Sequence, residues 1–284
     1  MRRLLLAALL SAAAYVEAAS TVVTAVNMPA WLEREGRTLP LSPSLALQPR
    51  DTIRTGPGAR VRLQLPEGSE VKLGENAVFR MENLNLSDGR TSPFQATLEV
   101  LKGAFRFTTG LLGGERKRQV DVRIQTITAG IRGTDIWGRS DEEKDLVCLL
   151  EGRIGVSREG EPAQEMSEPL SFYVAPRGKP SLPISKVDPD KVKNEWAPQT
   201  EPQAGQGLTE QNGRWTLTLA RVKTQKAALE WYDRLRQAGY AAKIRSGDGH
   251  AVRLEQLGSE ADAKALGQRL QTEFKTPLAE VKKR

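Results

Sequence analysis

Regularly spaced threonines, lysines and arginines near the C-terminus of this 284-residue chain are the residues best suited to binding chemistry. Five of them form the candidate site: Thr216, Thr218, Lys243, Arg245 and Arg253. Apolar residues occupy the intervening positions: Leu217, Leu219, Ile244, Val252 and Leu254. Side chains of a strand alternate between its two faces, so this pattern predicts strands with one apolar face and one face of hydrogen-bond donors. Such a face suits a sugar polymer or an anion. Ordinary solvent-facing strand residues are the alternative interpretation.

The sequence offers few residues for catalysis. Its only histidine, His250, follows a Gly-Asp-Gly turn, and a Ser-His-Asp triad could be built only around it. We interpret His250 as a surface or edge residue. No Cys and His residues have the spacing of a zinc site, and no phosphate loop or dinucleotide fingerprint occurs. The sequence therefore predicts a protein that is not an enzyme and that uses neither a metal nor another cofactor.

An internal repeat positions the candidate residues. The apolar pattern of the segment that starts at Trp215 recurs about 35 positions later in the chain. The sequence therefore contains two copies of one supersecondary unit. Each copy changes from a period of 2 to a period near 3.6, which predicts a strand followed by a helix. Thr224 and Ser259 are placed to cap the two helices. Two such units predict an α+β ferredoxin-like domain of split βαβ type, with helices on one face of a sheet. Trp231 and Tyr232 lie on the apolar helical face, which favours core packing over sugar stacking.

The region before the repeat is all-β by pattern. Short alternating segments and turn signals follow one another from about residue 21 to 156, which predicts a sandwich, a barrel or a solenoid. The single cysteine, Cys148, lies in an apolar run and is expected to be a small buried residue rather than a reactive thiol. Arg132, between two glycines, and the charged segment 111–118 are further candidates for ligand or partner contact. A tight strand connection and a solvated loop are the alternatives.

Composition predicts the domain boundaries and the cellular compartment. Arg2 and Arg3, a short apolar run and small residues up to Ala18 predict a signal peptide at 1–18 that is removed on export to the periplasm, without stable membrane insertion. A β domain follows at 19–185. A polar, proline-containing linker at 186–213 is expected to let the domains move independently. The repeat domain at 214–284 holds 15 Lys and Arg against 8 Asp and Glu, which predicts an anionic partner or a solubilising surface. Export argues against nucleic acid.

The repeat domain resembles the SPOR (sporulation-related repeat) family. The resemblance rests on Trp215-Thr-Leu-Thr-Leu-Ala, on Leu235-Arg-Gln-Ala-Gly-Tyr-Ala-Ala, on His250-Ala-Val-Arg-Leu and on Ser259-Glu-Ala-Asp-Ala. It implies binding to peptidoglycan glycan strands that have lost their stem peptides, chiefly at division sites. The sequence departs from the family in the first strand, and after the third strand, where Glu255-Gln256 replaces Gly-Pro.

The β-rich region resembles the periplasmic FecR domain. The shared motifs are Asp51-Thr-Ile-Arg-Thr-Gly, Leu65-Pro-Glu-Gly-Ser, Leu101-Lys-Gly-Ala-Phe, Thr128-Ala-Gly-Ile-Arg-Gly-Thr-Asp and Leu150-Glu-Gly-Arg-Ile-Gly-Val. This resemblance implies an architecture more than a chemistry. Together the observations predict a non-catalytic cell-envelope protein that binds stem-peptide-free peptidoglycan, with the β domain as an interaction module for other envelope proteins. The rival hypothesis is an envelope sensor or protein-interaction module in signalling or secretion, without glycan binding.

Overall fold

The structure is a computed structural model that describes residues 20–85, 94–110, 118–131 and 133–284. The expected signal peptide, Arg132 and most of the charged segment 111–118 lie outside these residues. Within the described residues, no helix is both long and apolar enough to cross a lipid bilayer.

The N-terminal region contains two β-sheets. Strands are numbered along the chain, and the order in sheet 1 is β16 (Ser185–Lys186), β15 (Ser171–Pro176), β12 (Lys144–Glu151), β11 (Asp135–Ser140), β8 (Phe94–Thr108), β6 (Glu70–Leu73), β5 (Arg60–Gln64), β1 (Val22–Asn27) and β17 (Leu208–Glu210). All of these pairings are antiparallel, so neighbouring strands can be joined by short turns.

Sheet 2 shares one strand with sheet 1. Its order is β3 (Arg37–Pro40), β2 (Ala30–Arg34), β4 (Thr52–Thr55), β7 (Val78–Asn85), β8, β9 (Arg118–Ile124), β10 (Ile127–Ile131), β13 (Ile154–Arg158) and β14 (Gln164–Met166). Its pairings are antiparallel except that of β8 with β9, which is parallel.

The long strand β8 passes from one sheet to the other at Gly103. Residues before it pair with β7 and β9 in sheet 2, and residues after it pair with β6 and β11 in sheet 1. Gly103 has a φ of +89°, and a Cβ there would lie 2.6 Å from the Cα and Cβ of Ala77. Both the left-handed backbone and the close approach require glycine, so this residue permits the bend.

The buried faces of both sheets form one apolar core. Sheet 1 contributes Leu63, Phe105 and Phe107, and sheet 2 contributes Ile53 and Phe79, all at most 2% exposed. Two sheets enclosing a common core are the arrangement of a β-sandwich, which is one of the three architectures that the strand pattern permits.

The C-terminal domain has the predicted ferredoxin-like topology. Its sheet has the order β19 (Lys243–Gly247), β20 (Gly249–Leu257), β18 (Trp215–Val222) and β21 (Glu280–Lys283), all antiparallel. Helices α2 (Gln225–Gln237) and α3 (Glu260–Phe274) begin at the predicted N-caps, where the side chains of Thr224 and Ser259 accept backbone hydrogen bonds.

The segment predicted to be a linker crosses the outside of sheet 1. It begins with helix α1 (Pro189–Lys191), continues through a π turn and a 3₁₀ turn to Gln199, and leads into β17. We call residues 187–207 the strap. Glu201 in the strap bonds Lys72 and Arg106 of sheet 1, and Gln203 exchanges two hydrogen bonds with Asn27.

The strap and the two domains are joined by hydrogen bonds, which differs from the independent motion that composition predicts. The buried carboxylate of Asp262 in α3 accepts from the backbone N–H groups of residues 207 and 208 at 3.1 and 2.9 Å. Arg269 donates to the Met28 carbonyl at 2.7 Å, and the Trp31 indole donates to the Gln237 carbonyl at 3.0 Å. Glu201 attaches this segment through its side chain, whereas residues 203, 207 and 208 attach it through backbone groups.

Candidate functional site

The candidate residues lie on the face of the C-terminal sheet that the helices leave uncovered. We call this the open face. In the pairing of the strands, Lys243 lies opposite Arg253, Arg253 lies opposite Thr218, and Lys282 lies opposite Thr216. The alternate residues Leu217, Leu219, Val252 and Leu254 are at most 1% exposed, as the predicted apolar face requires, and Ile244 is partly buried against the core.

The open face is cationic. It carries six basic side chains, namely Arg221, Lys243, Arg245, Arg253, Lys282 and Arg284, and two carboxylates, Glu255 and Glu280. Its formal charge is therefore +4. The side chains of Lys243 and Arg245 are 48% and 53% exposed, and that of Arg253 is 29% exposed. The β domain approaches this face at Met28, Ser42 and Pro43, which line a small cavity together with Lys243 and Glu255.

Glu255 is the centre of the cationic cluster. Its side chain is 2% exposed, and its oxygens lie 3.2 Å from Lys243 Nζ, 3.2 Å from Arg245 Nε and 3.1 Å from Arg253 Nε. Arg284 makes a fourth ion pair with it. The Arg253 contact is an ion pair without hydrogen-bond geometry, so the N–H of Arg253 Nε is buried without an acceptor among the described residues.

The environment of Glu255 keeps it ionised. Burial by itself would raise the pKa of this carboxyl, but hydrogen bonds from Arg284, Arg245 and Lys243 outweigh burial and lower the pKa from 4.5 to about 2. One carboxylate therefore neutralises part of the charge of four cations and fixes their positions. A ligand carboxylate would have to share or replace these bonds.

The two threonines lie on the predicted face but are not open to solvent. Thr216 and Thr218 are 5% and 6% exposed. Their partners in register are Lys282 and Arg253, whose side chains are long enough to cover a threonine hydroxyl. The alternation of strand residues determines the face, whereas exposure depends on the length of neighbouring side chains. Thr216 Oγ1 is buried without a hydrogen-bond partner in the part of the chain that the structure describes.

The sequence did not identify five charged residues of the open face: Arg221, Glu255, Glu280, Lys282 and Arg284. Glu255 stands two positions after Arg253, so strand parity places both on one face and could have identified it. Lys282 and Arg284 belong to the end of the chain, and their role depends on the pairing of β21 with β18. Glu255 also occupies the position at which the sequence departs from the SPOR pattern.

The remaining candidates take the structural roles that were expected of them. Trp231 and Tyr232 are partly buried and packed against the core. His250 lies in the β19–β20 hairpin, where its Nδ1 is 3.4 Å from Ser246 Oγ. Cys148 is fully buried, and burial raises the pKa of its thiol to about 12.

Comparison with known proteins identifies two domains. Residues 51–155 match the family model described as FecR protein, and residues 211–279 match the SPOR domain. The chain therefore contains a FecR domain followed by a SPOR domain, and SPOR domains are peptidoglycan-binding domains. The wider boundaries at 19–185 and 214–284 stay predictions.

No curated protein matches the sequence. Two crystal structures of a candidate anti-sigma factor from Parabacteroides distasonis are 15% and 16% identical to this chain, with TM-scores of 0.42 and 0.41. Each covers 78% of this chain, and the alignments span 91% and 90% of theirs.

Proposed function

We propose that this protein is a non-catalytic periplasmic protein that binds peptidoglycan glycan strands through the open face of its SPOR domain. The observation that carries the proposal is a solvent-accessible cluster of cations whose formal charge exceeds that of the carboxylates beside it. The FecR domain acts in this proposal as a second interaction module, and the strap, which is bonded to both domains, would hold it near the wall.

The chemistry of stem-peptide-free glycan fits this cluster. Removal of the stem peptide leaves the lactyl group of each muramic acid with a free carboxylate. Arg245, Lys243 and Arg253 can donate charge-assisted hydrogen bonds to such groups, each worth about 1.5–3 kcal/mol before competition with water and with Glu255. Glycan that keeps its stem peptides has amides in place of these carboxylates, so the proposal predicts a preference for the stripped polymer.

Co-sedimentation with purified sacculi tests the proposal. The protein should sediment with amidase-digested sacculi more than with intact sacculi. The double variant Arg245→Ala/Arg253→Ala should lose most of this retention. A matched control, Lys223→Ala/Lys226→Ala, removes the same charge in the turn before α2 and in its first turn, and should sediment as the original protein does. Equal retention of the two double variants would show that the open face is not the binding site.

A cellular experiment addresses location. A fluorescent fusion that is exported should be enriched at division sites, and deletion of residues 214–284 should abolish that enrichment. Periplasmic location is supported by the signal-peptide pattern at 1–18.

The second hypothesis is an envelope sensor or protein-interaction module, and the presence of a FecR domain favours it. In that case the protein would fail to bind either kind of sacculus while still co-purifying with an envelope protein. Arg245→Ala/Arg253→Ala would then leave that co-purification unchanged.

A further inference from the structure

The strap covers a row of side chains that crosses sheet 1. In the pairing of the strands, Lys72 lies opposite Arg106, Arg106 lies opposite Trp137, and the row continues through Cys148 to Phe172. The next residues along these strands belong to the apolar core, so strand alternation directs the row outward. We call these five residues the strap face.

Trp196 of the strap covers the aromatic half of the strap face. Its ring stacks on that of Trp137, with centroids 4.7 Å apart and an angle of 13° between the planes. It also meets the ring of Phe172 edge to face at 6.3 Å. Without the strap, these rings would form an aromatic patch in water, and such patches mark interaction sites.

Glu201 of the strap completes the ion pairs of the charged half. Its carboxylate lies 2.8 Å from Lys72 Nζ and 3.2 Å from Arg106 Nη1. Sheet 1 supplies three cations and two carboxylates to this ion-pair cluster, namely Arg62, Lys72 and Arg106, and Glu70 and Asp135. Removal of Glu201 would leave the cluster with one excess positive charge, so the strap face requires one carboxylate from outside the sheet.

The strap is packed loosely on this face. No residue of its helical segment, 189–199, is buried. An open cleft of about 770 Å³ lies between this segment and sheet 1, and its lining includes Phe172 and Val174 of the sheet and Lys191 and Trp196 of the strap. Well-packed interiors contain few voids larger than a water molecule. An element with few buried apolar contacts opens at a lower free-energy cost than the sheet beneath it.

Opening can be confined to the middle of the strap. The Val187 N–H donates to the carbonyl of Leu170 at 2.9 Å, and β17, which follows the strap, pairs with β1. These contacts hold both ends of the segment on sheet 1 while residues 188–202 move away. The FecR and SPOR domains would therefore stay attached when the strap face is uncovered.

We propose that the strap is a displaceable cover and that the strap face binds a peptide segment of a partner protein. The strap itself identifies the chemistry of that segment, since it places an aromatic ring on Trp137 and a carboxylate, five positions later in the chain, between Lys72 and Arg106. The partner supplies the same two groups in place of Trp196 and Glu201. This inference rests on the interaction-module role of the FecR domain in the proposed function and gives that role a surface.

The test uses the full chain and a fluorescein-labelled peptide with the sequence of residues 191–204, followed by fluorescence anisotropy. The opened variant, Trp196→Ala/Glu201→Gln, removes both attachments at positions that are not buried, so the fold is retained. A strap that is closed in about nine molecules of ten, at an effective concentration of about 1 mM, implies a Kd of about 0.1 mM for the separate peptide. The opened variant should therefore bind the peptide with a Kd of about 0.1 mM or tighter. The original protein should bind at least about tenfold more weakly, because its own strap occupies the face.

Matched variants show where the peptide binds. A peptide that carries the same two substitutions should bind the opened variant at least about tenfold more weakly, because it lacks the ring and the carboxylate. Lys72→Gln, added to the opened variant, should weaken binding of the original peptide about tenfold. The control is Lys264→Gln, which removes a paired charge from α3 of the SPOR domain and should leave the Kd unchanged.

Three results would overturn the proposal. Absence of saturable binding to the opened variant would exclude the strap face as a peptide site. Equal affinities of the opened variant and the original protein would show that the strap does not cover the binding site. Concentration-dependent dimerisation of the original protein that the opened variant loses would assign the face to the strap of a second copy instead of a partner. None of these measurements involves sacculi or the open face, so failure here is distinguishable from failure of glycan binding.

Discussion

Replacement of Glu255 by glutamine should destabilise the fold and strengthen binding of anionic glycan at the same time. The substitution keeps the shape of the side chain and removes its charge. Four cations then remain together without their shared counter-ion, and the formal charge of the open face rises from +4 to +5.

The pKa of Glu255 sets the magnitude of the stability effect. A fall from 4.5 to about 2 corresponds to an upper bound of about 3 kcal/mol. The side chains of Lys243, Arg245 and Arg284 are about half exposed, so solvent and salt screen their interaction with the carboxylate. We therefore expect Glu255→Gln to lower the free energy of unfolding by about 1–2 kcal/mol at pH 7.

The sign of the pH dependence follows from the lowered pKa. The ionised carboxylate stabilises the folded state fully above the ordinary pKa of 4.5, and this contribution is lost as the pH falls towards about 2. The difference between the original protein and Glu255→Gln should therefore be constant from pH 7 to about pH 5 and shrink below it.

Urea unfolding of both proteins at several pH values measures this difference. Glu280→Gln is the matched control, because Glu280 lies on the same face but is 48% exposed and paired only with Arg221 among the described residues. It should change the free energy of unfolding by less than about 1 kcal/mol. A Glu255→Gln effect that is independent of pH, or no larger than that of Glu280→Gln, would refute the assignment of Glu255 as the shared counter-ion.

Binding should change in the opposite direction. Lys243, Arg245 and Arg253 are released to pair with ligand carboxylates, so retention on amidase-digested sacculi should rise about tenfold at low salt. The gain should decrease with added salt. Weaker or unchanged retention would show that the ligand does not compete with Glu255 for these cations.

Three further predictions concern the β domain. Gly103→Ala should lower the free energy of unfolding by about 2–4 kcal/mol in urea, whereas Gly36→Ala, at a positive φ with open space around it, should lower it by about 1 kcal/mol; equal effects would contradict the bend argument. Glu201→Gln should increase hydrogen exchange in the strap, because Lys72 and Arg106 lose their shared partner; unchanged exchange would show that these ion pairs do not hold it. The thiol of Cys148 should react with an aromatic disulfide reagent only after unfolding, because burial raises its pKa to about 12, and rapid reaction of the native protein at pH 8 would refute this.

The topology of the SPOR domain could be predicted because its signals are local. Helix caps at Thr224 and Ser259 and the change of period within each repeat depend on residues a few positions apart. The all-β class of the first domain could be predicted for the same reason. The sandwich could not be predicted, because it depends on the bend of β8 at Gly103, where the approach of Ala77 is a contact between distant segments.

The strap makes contacts that its composition does not indicate. A polar, proline-containing segment with few apolar residues has the composition of a linker. Glu201, Gln203 and Trp196 instead bond or stack on the outside of sheet 1, and their partners lie between 24 and 176 positions away in the chain. A single sequence contains no local sign of such pairs.

The sequence alone determined which residues share a face, because strand and helix periods are properties of the local backbone. It therefore placed Lys243, Arg245 and Arg253 together on a cationic side of the SPOR sheet. Only the tertiary structure decided what those residues do there. Burial of Glu255 beneath four cations, the covering of Thr216 and Thr218, and the docking of the strap all depend on side chains brought together from separate strands, whose distances and exposure follow from packing rather than from spacing along the chain.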